Sequence, residues 1–330
     1  MPPHPIPHLP LFRSALLYAT AVLLLFSLGY IAGLLSATSL LIPQLNTQTP
    51  IHPTVGGSTA SLSPLMLPAK TPQPPQSDPQ LRDLLNFRTE CASPVPNDFV
   101  LPILLNRLYN NTSPYANFPS PETAKLLLPT AAKPRGWGST NPVFADLISS
   151  LRPLIIIELG TFLGASALHM AALTRNHSLQ SLILCVDDFR GWPVFRSRLA
   201  RHVPAPRHAD SLLLHQFMLG VSVAGETGRV FPVPFSTSSA LAAFCDWGIY
   251  GDLIEVDAGH DFHSAWSDLN KAYAVLRTGG ILFGHDYHTA ADNHGVRRAV
   301  TLFARVKGIK VLPHGEHWVL APKPIASGPD

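Results

Sequence analysis

Between residues 154 and 321 the chain repeats one pattern: a short apolar run, often closed by an acid or a glycine, then a stretch with helical spacing. The apolar runs fall at 154–158, 182–186, 230–233, 252–256 and 280–283, and helical spacing fills 165–174, 238–246, 265–276 and 296–306. Runs this short and continuous read as strands buried on both faces, as a parallel sheet covered by helices requires. The 265–276 helix turns Trp266, Leu269, Tyr273 and Leu276 inward. The last two runs, 310–312 and 318–321, are separated only by a turn around Gly315, which predicts a hairpin. The expected fold is therefore α/β: a mostly parallel sheet with a C-terminal antiparallel hairpin and helices on both faces. Ligands of such sheets bind at the carboxyl ends of the strands, so functional residues should lie just after each run.

The segment ahead of this pattern is of another kind. Residues 14–42 contain no charged side chain. A helix of that length would reach roughly 43 Å, beyond the ~30 Å hydrocarbon core of a bilayer. The apolar region of a cleaved signal peptide is only about 7–15 residues long, so 14–42 reads as a retained transmembrane helix. Arg13 precedes it and no Lys or Arg follows until Lys70. That bias keeps a short tail, 1–13, in the cytosol and puts the rest of the chain in the lumen of the ER or Golgi, or outside. Residues 43–80, rich in Pro, Ser, Thr and Gln, cannot bury enough apolar surface to fold and read as an extended stem. Residues 81–141 form a helical and irregular extension, with a helix over 98–109, and 142–330 form the main domain. The layout is that of a single-pass type II membrane protein. Asn110, Asn111 and Asn176 each begin an N-x-S/T sequon.

Charge and cysteine usage exclude other classes. The net charge is +3 and no basic run of five or more occurs, so nucleic acid is not an expected partner. Cys91, Cys185 and Cys245 lie far apart without a CxxC, which excludes a disulfide framework and a zinc knuckle and leaves at least one thiol free.

The residues after the runs carry the chemistry. Gly160 and Gly164 permit a tight turn and a close backbone approach to a ligand, although a packing turn would need the same glycines. Their G-x-x-x-G spacing is not the G-x-G-x-x-G fingerprint of a dinucleotide site. Asp187 stands where an acid accepts hydrogen bonds from ribose hydroxyls; the alternative is a surface acid in a turn. Asp257 and His260 follow the fourth run, and Asp286 follows the fifth. The pieces at 259–263 and 284–288 look alike but are offset differently from their strands, so the likeness is read as coincidence.

In this order, the stretches IIIELGTFLGASALHMA, CVDDFRGW, FPVPFSTSSALAA, DLIEVDAGHDFHSAWSDLNKAYAVLRTGGILFGHDYH and GVRRAVTLFA resemble a class I S-adenosylmethionine (SAM) dependent methyltransferase. They are most similar to methyltransferase family 24. The resemblance spans roughly residues 142–322 and leaves out the apolar span and the stem. It implies a Rossmann-like sheet and SAM as cofactor. Glu158, Gly160 and Gly164 would line the methionine end, Asp187 would hold the ribose, Phe189 would flank the adenine and Ser236 would lie at its edge. Asp257, His260 and Asp286 would face the methyl group and the acceptor. Asp188 and the Glu255-Val256 pair before Asp257 depart from the common family pattern. A hydroxyl acceptor must lose a proton, either to His260 or through a divalent ion such as Mg²⁺ held by Asp257 and Asp286. The expected function is O-methylation of a glycan, lipid or small molecule by a membrane-anchored enzyme. A hydroxylase-like enzyme of related sequence and a non-catalytic membrane scaffold are the alternatives.

Overall fold

A computed structural model describes residues 90–128, 136–191 and 211–324. All of them fall in the compact unit Gln73–Asp330. The tail 1–13, the expected transmembrane helix 14–42, the stem 43–80 and residues 81–89 of the extension lie outside the described residues. Among the described residues, no helix is long and apolar enough to cross a membrane.

The described elements are α1 (Asn97–Tyr109), α2 (Pro121–Leu127), α3 (Pro142–Leu151), β1 (Ile155–Leu159), α4 (Ala165–Asn176), β2 (Leu182–Val186), α5 (Ser211–Val223), β3 (Val230–Val233), α6 (Thr237–Trp247), β4 (Gly251–Val256), α7 (Phe262–Ala274), β5 (Leu276–Gly284), α8 (Gly295–Lys307), β6 (Val311–His314) and β7 (His317–Leu320). The strands form one sheet in the order β3-β2-β1-β4-β5-β7-β6. Strands β1 to β5 pair in parallel, and β7 runs antiparallel to both β5 and β6. The chain winds from β1 outward through β2 to β3, then crosses back to β4. The carboxyl ends of β1 and β4 thus mark the switch point where a crevice opens in such sheets.

Every residue of β1 is buried, because helices cover both faces. Ile155, Ile157 and Leu159 pack with Leu104 of α1, Phe244 of α6, Leu269 of α7 and Phe303 of α8. Ile156 points the other way, into a second core with Phe144 of α3, Met170 of α4 and Phe217 of α5. This period-2 division of an apolar strand between two cores is the physical basis of the near-continuous runs in the sequence.

Local chemistry sets several boundaries that periodicity misplaces. Helix α7 starts three residues before its expected position because the Asp261 side chain accepts from Ser264 N at 2.9 Å and caps it. It also ends earlier. Leu276, expected to complete the inner face of this helix, is instead the first residue of β5 and pairs with Gly251 of β4. Leu276 stays buried, so its apolarity was read correctly and its element was not. Helix α3 was not expected at all. Its signal is the Asn141 side chain accepting from Val143 N at 3.0 Å, with Pro142 in the first turn.

The cysteines leave one thiol free, as expected, and add a bridge that the sequence did not announce. Cys91 and Cys245, which are 154 residues apart in sequence, form a disulfide with their Cα atoms 4.6 Å apart, while Cys185 is free and buried. Sequence distance is no barrier to a bridge once the chain folds back. Ala92 N donates to Cys245 O and Val95 N to Gly248 O, both at 2.9 Å, so the segment before α1 is strapped along the end of α6. A bridge closing so long a loop contributes about 2–4 kcal/mol. Cys91→Ser in the full-length protein is expected to lower the urea midpoint by a corresponding amount. An unchanged midpoint would mean that the backbone bonds alone hold the strap.

Candidate active site

The loop from β1 to α4 is built around two glycines with different duties. Gly160 has φ +92, and a Cβ there would run into the backbone carbonyl of Asp257. Gly160 N donates to Val186 O and Asp257 N to Leu159 O, both at 2.9 Å. The ends of β1, β2 and β4 are thus drawn together at a point where only glycine fits. Gly164 has φ +80, and a Cβ there would meet the Phe217 ring at 2.8 Å, away from the crevice. Glu158, expected beside the methionine end of SAM, is 1% exposed and lies beneath the loop. Its carboxylate accepts from Thr161 Oγ1 at 2.7 Å and from Ser166 Oγ. Burial pushes its pKa up, and those hydroxyls offset part of the rise. Of the three residues expected there, Gly160 reaches the crevice wall, while Glu158 and Gly164 shape the loop that carries it.

Asp187 sits at the end of β2 and ties two loops together. Its Oδ2 accepts from Phe162 N at 2.8 Å and its Oδ1 from Phe189 N at 2.6 Å. Burial raises its pKa, and the two backbone donors pull it back. Each carboxylate oxygen keeps a lone pair for a ligand hydroxyl. Asp188 stands beside it on the wall and is exposed. Phe189, expected to flank the adenine, has φ 53 and turns its ring into the core, 5.3 Å from that of Phe217. Ser236 lines the crevice as the cap of α6, accepting from Ser239 N at 3.3 Å.

The ends of β4 and β5 bring four titratable groups together, because Val256 and Gly284 are register partners. His260 Nε2 is 2.9 Å from Asp286 Oδ2 and 3.9 Å from Asp257 Oδ1. His285 Nδ1 is 3.4 Å from Asp286 Oδ2 and 3.9 Å from Asp257 Oδ1. Asp286 has φ 59, an uncommon backbone state that aims its carboxylate between the two imidazoles. Burial pushes Asp286 up, but hydrogen bonds from His260 and His285 outweigh it and hold the carboxyl below its ordinary range. Asp257 is lifted by burial to about 7, against the opposing pull of His285. The hydrogen bond to Asp286 raises His260. One ligand atom each from Asp257, His260 and Asp286 lies within 4.8 Å of the others, an arrangement able to hold a metal ion.

The sequence reading did not assign His285 a role. It stacks 4.6 Å from His317, a buried histidine whose Nδ1 has no hydrogen-bond partner and whose pKa burial lowers to about 4. A histidine directly before Asp286 was the available signal. By contrast Asp261, the counterpart of Asp286 in the other His-Asp piece, caps a helix, so the two acids share no role, although the counterpart histidines His260 and His285 both face Asp286.

These groups surround a cavity of about 840 Å³, within the range of small-molecule sites. Gly160, Asp187, Ser236, Asp257, His260 and Asp286 all line it, with Trp137 from the loop before α3. The volume and the close backbone approach at Gly160 fit a nucleoside-sized ligand such as SAM.

Residues 157–287 match the sequence model of a family described as a methyltransferase domain, methyltransferase family 24. None of the curated proteins matches the chain. Similar solved structures include a candidate caffeoyl-CoA O-methyltransferase from Staphylococcus aureus, at 11% identity and a TM-score of 0.43, covering 69% of this chain and 98% of that one. An O-methyltransferase from Bacillus cereus in complex with SAH is 13% identical, with a TM-score of 0.40 and coverage of 67% and 95%. The O-methyltransferase TomG from Streptomyces achromogenes in complex with SAM is 14% identical, with a TM-score of 0.40 and coverage of 62% and 89%. Residues 157–287, set in a sheet whose carboxyl edge carries the crevice, form a methyltransferase domain similar to methyltransferase family 24, the domain of a SAM-dependent methyltransferase.

Proposed function

We propose that the protein methylates a hydroxyl oxygen of a glycan, lipid or small molecule, and that it does so as a single-pass type II membrane enzyme with its catalytic domain in the ER or Golgi lumen. The observation that carries the O-methylation reading is the His260–Asp286 pair at the cavity wall, 2.9 Å apart. SAM bound in this cavity supplies an activated methyl group on a sulfonium, and transfer forms a carbon–oxygen bond as the carbon–sulfur bond breaks. Gly160 and Asp187 hold the donor, and such alignment lowers a barrier by up to about 7–11 kcal/mol. His260, oriented by Asp286, would take the proton of the acceptor hydroxyl. Asp286, kept ionised by its two histidines, stabilises the imidazolium that results.

A second reading is favoured by the spacing of Asp257, His260 and Asp286, which suits a divalent cation. Asp257 and Asp286 would supply oxygen ligands for Mg²⁺, and the imidazole nitrogen suits Mn²⁺ better. Such an ion would lower the pKa of the acceptor hydroxyl.

The lumenal reading is supported by the Cys91–Cys245 disulfide, since such bridges persist in oxidising compartments. All three sequon asparagines, Asn110, Asn111 and Asn176, are exposed. The anchor itself rests on the apolar run 14–42.

His260→Ala and Asp286→Ala are expected to keep SAH binding while turnover with labelled SAM falls at least about 10²-fold. Native turnover in both variants would remove the chemistry from this cluster. Loss of activity with a chelator, restored by Mn²⁺ or Mg²⁺, would decide for the cation; indifference to chelation would decide for the histidine base alone. Gly160→Ala is expected to abolish SAH binding in calorimetry, because its Cβ has no space beside Asp257. In intact microsomes the domain should resist added protease and carry endoglycosidase-sensitive mass that is lost in an N110Q/N111Q/N176Q variant. Digestion without detergent would place the domain in the cytosol and overturn the lumenal reading.

A further inference from the structure

The loop before α3 is wedged between two parts of the crevice. Asn141 N donates to Gly138 O at 2.9 Å, which closes a turn at the start of the helix. Gly138 has φ +68, and a Cβ there would lie 2.7 Å from His285 Nε2 and 2.9 Å from His317 Cε1. A Cβ at Gly136 would run into Ser139 Oγ and would meet Ala165 Cβ, in the first turn of α4, at 3.2 Å. Two close backbone approaches thus pin the loop. One is against the acid–histidine end, the other against the helix that follows the glycine turn. Trp137 stands between these two glycines. It lines the cavity and is 52% exposed. Its ring centroid lies 6.1 Å from that of Phe162, with the two planes tilted by 32°.

A single exposed aromatic is ordinary on a protein surface. This one is fixed on a cavity wall, beside the groups that must activate the acceptor. The rest of the lining narrows what can lie on it. Among the described residues, the lining has no aromatic besides Trp137, Phe162 and the histidines, and no aliphatic side chain besides Val186 and Ala258. An acyl chain would need a longer aliphatic wall. A phenol ring held on both faces would need two apolar surfaces about 7 Å apart, twice the carbon–carbon contact distance. Phe162 is closer than that to Trp137, and the other walls offer Ser139, Ser166, His263 and Thr289. One apolar face among hydroxyl and imidazole groups suits a pyranose ring. Its axial C–H bonds carry a slight positive charge that the negative face of an indole attracts. Its hydroxyls find donors and acceptors in the polar side chains. No Lys or Arg among the described residues lines the cavity, so an acidic sugar would go unmatched.

We propose that Trp137 is the platform on which the acceptor lies, and that the acceptor is a neutral pyranose ring of a glycan. The proposal deepens the O-methylation reading and rests on it. Trp137 is then a positioning and specificity residue: it holds the ring so that one hydroxyl meets His260, and it moves no proton itself. Gly138, packed against His285, sets the distance between the platform and the cluster.

The test is methyl transfer from labelled SAM by the full-length protein to three sets of acceptors. These are neutral oligosaccharides (cellohexaose, xylohexaose and mannohexaose), catechol, and phosphatidylcholine vesicles carrying diacylglycerol. Label is expected in at least one oligosaccharide and in neither of the other sets. Trp137→Ala is expected to raise KM for that oligosaccharide about tenfold, to change kcat by less than about threefold, and to leave SAH affinity in calorimetry unchanged. Trp137→Phe, which keeps a flat aromatic face, is expected to restore part of the loss. Label only in catechol or diacylglycerol, or in none of the three sets, would overturn the pyranose assignment. An unchanged KM in Trp137→Ala would overturn the platform, and so would a loss of SAH affinity, which would place the indole on the cofactor. Native turnover of the oligosaccharide in both His260→Ala and Asp286→Ala would instead overturn the hydroxyl-activation reading and leave the platform standing.

Discussion

The crevice depends on one close approach, that of the Gly160 backbone to the carbonyl of Asp257. At this point the ends of β1, β2 and β4 meet through two backbone hydrogen bonds of 2.9 Å, from Gly160 N to Val186 O and from Asp257 N to Leu159 O. A side chain at position 160 would push β4 away from β1. Asp257 would then leave Asp286, whose place is fixed by the register of β4 with β5. The distances within the acid–histidine cluster are therefore consequences of strand spacing at the switch point. Asp187 secures the neighbouring loops, holding Phe162 N and Phe189 N with its two oxygens.

Beneath this edge the sheet carries charge where an apolar side chain would be ordinary. Glu158 and Glu255 are register partners on β1 and β4, both nearly fully buried, and Cys185 partners Glu158 on β2. Burial raises both carboxyls, and the charge of Glu158 raises Glu255 further. Two such groups side by side cannot both ionise at modest cost. Glu158 is stabilised by Thr161 and Ser166, whereas Glu255 Oε2 has no partner. This asymmetry leaves Glu158 to hold the glycine loop.

The outer elements fit the same scheme. The disulfide at Cys91 and Cys245 fastens the segment before α1 to α6, the helix that also carries Ser236 and Thr237 at the cavity. Helix α3 places Phe144 edge-on to both Phe283 of β5 and His317 of β7. His317 in turn stacks on His285 beside Asp286. The acceptor end of the crevice is thus supported from the apolar core through a row of rings.

Much of this was legible in the residues. Strands β2 and β3 fall where their apolar runs lie, and Asp187, Asp257, His260 and Asp286 follow strands as a parallel sheet demands, because period and burial are local properties of the chain. The roles of Glu158, Gly164 and Phe189 were not legible. Whether a residue beside a glycine turn faces the ligand or the core is set by a backbone angle, such as φ 53 at Phe189, and by what packs beneath it. Nor could the pairing of Cys91 with Cys245 be read, since no local signal spans 154 residues. Leu276 gives the simplest case: its apolarity fixed that it would be buried, and only the pairing of β4 with β5 decided that it would be buried in a strand.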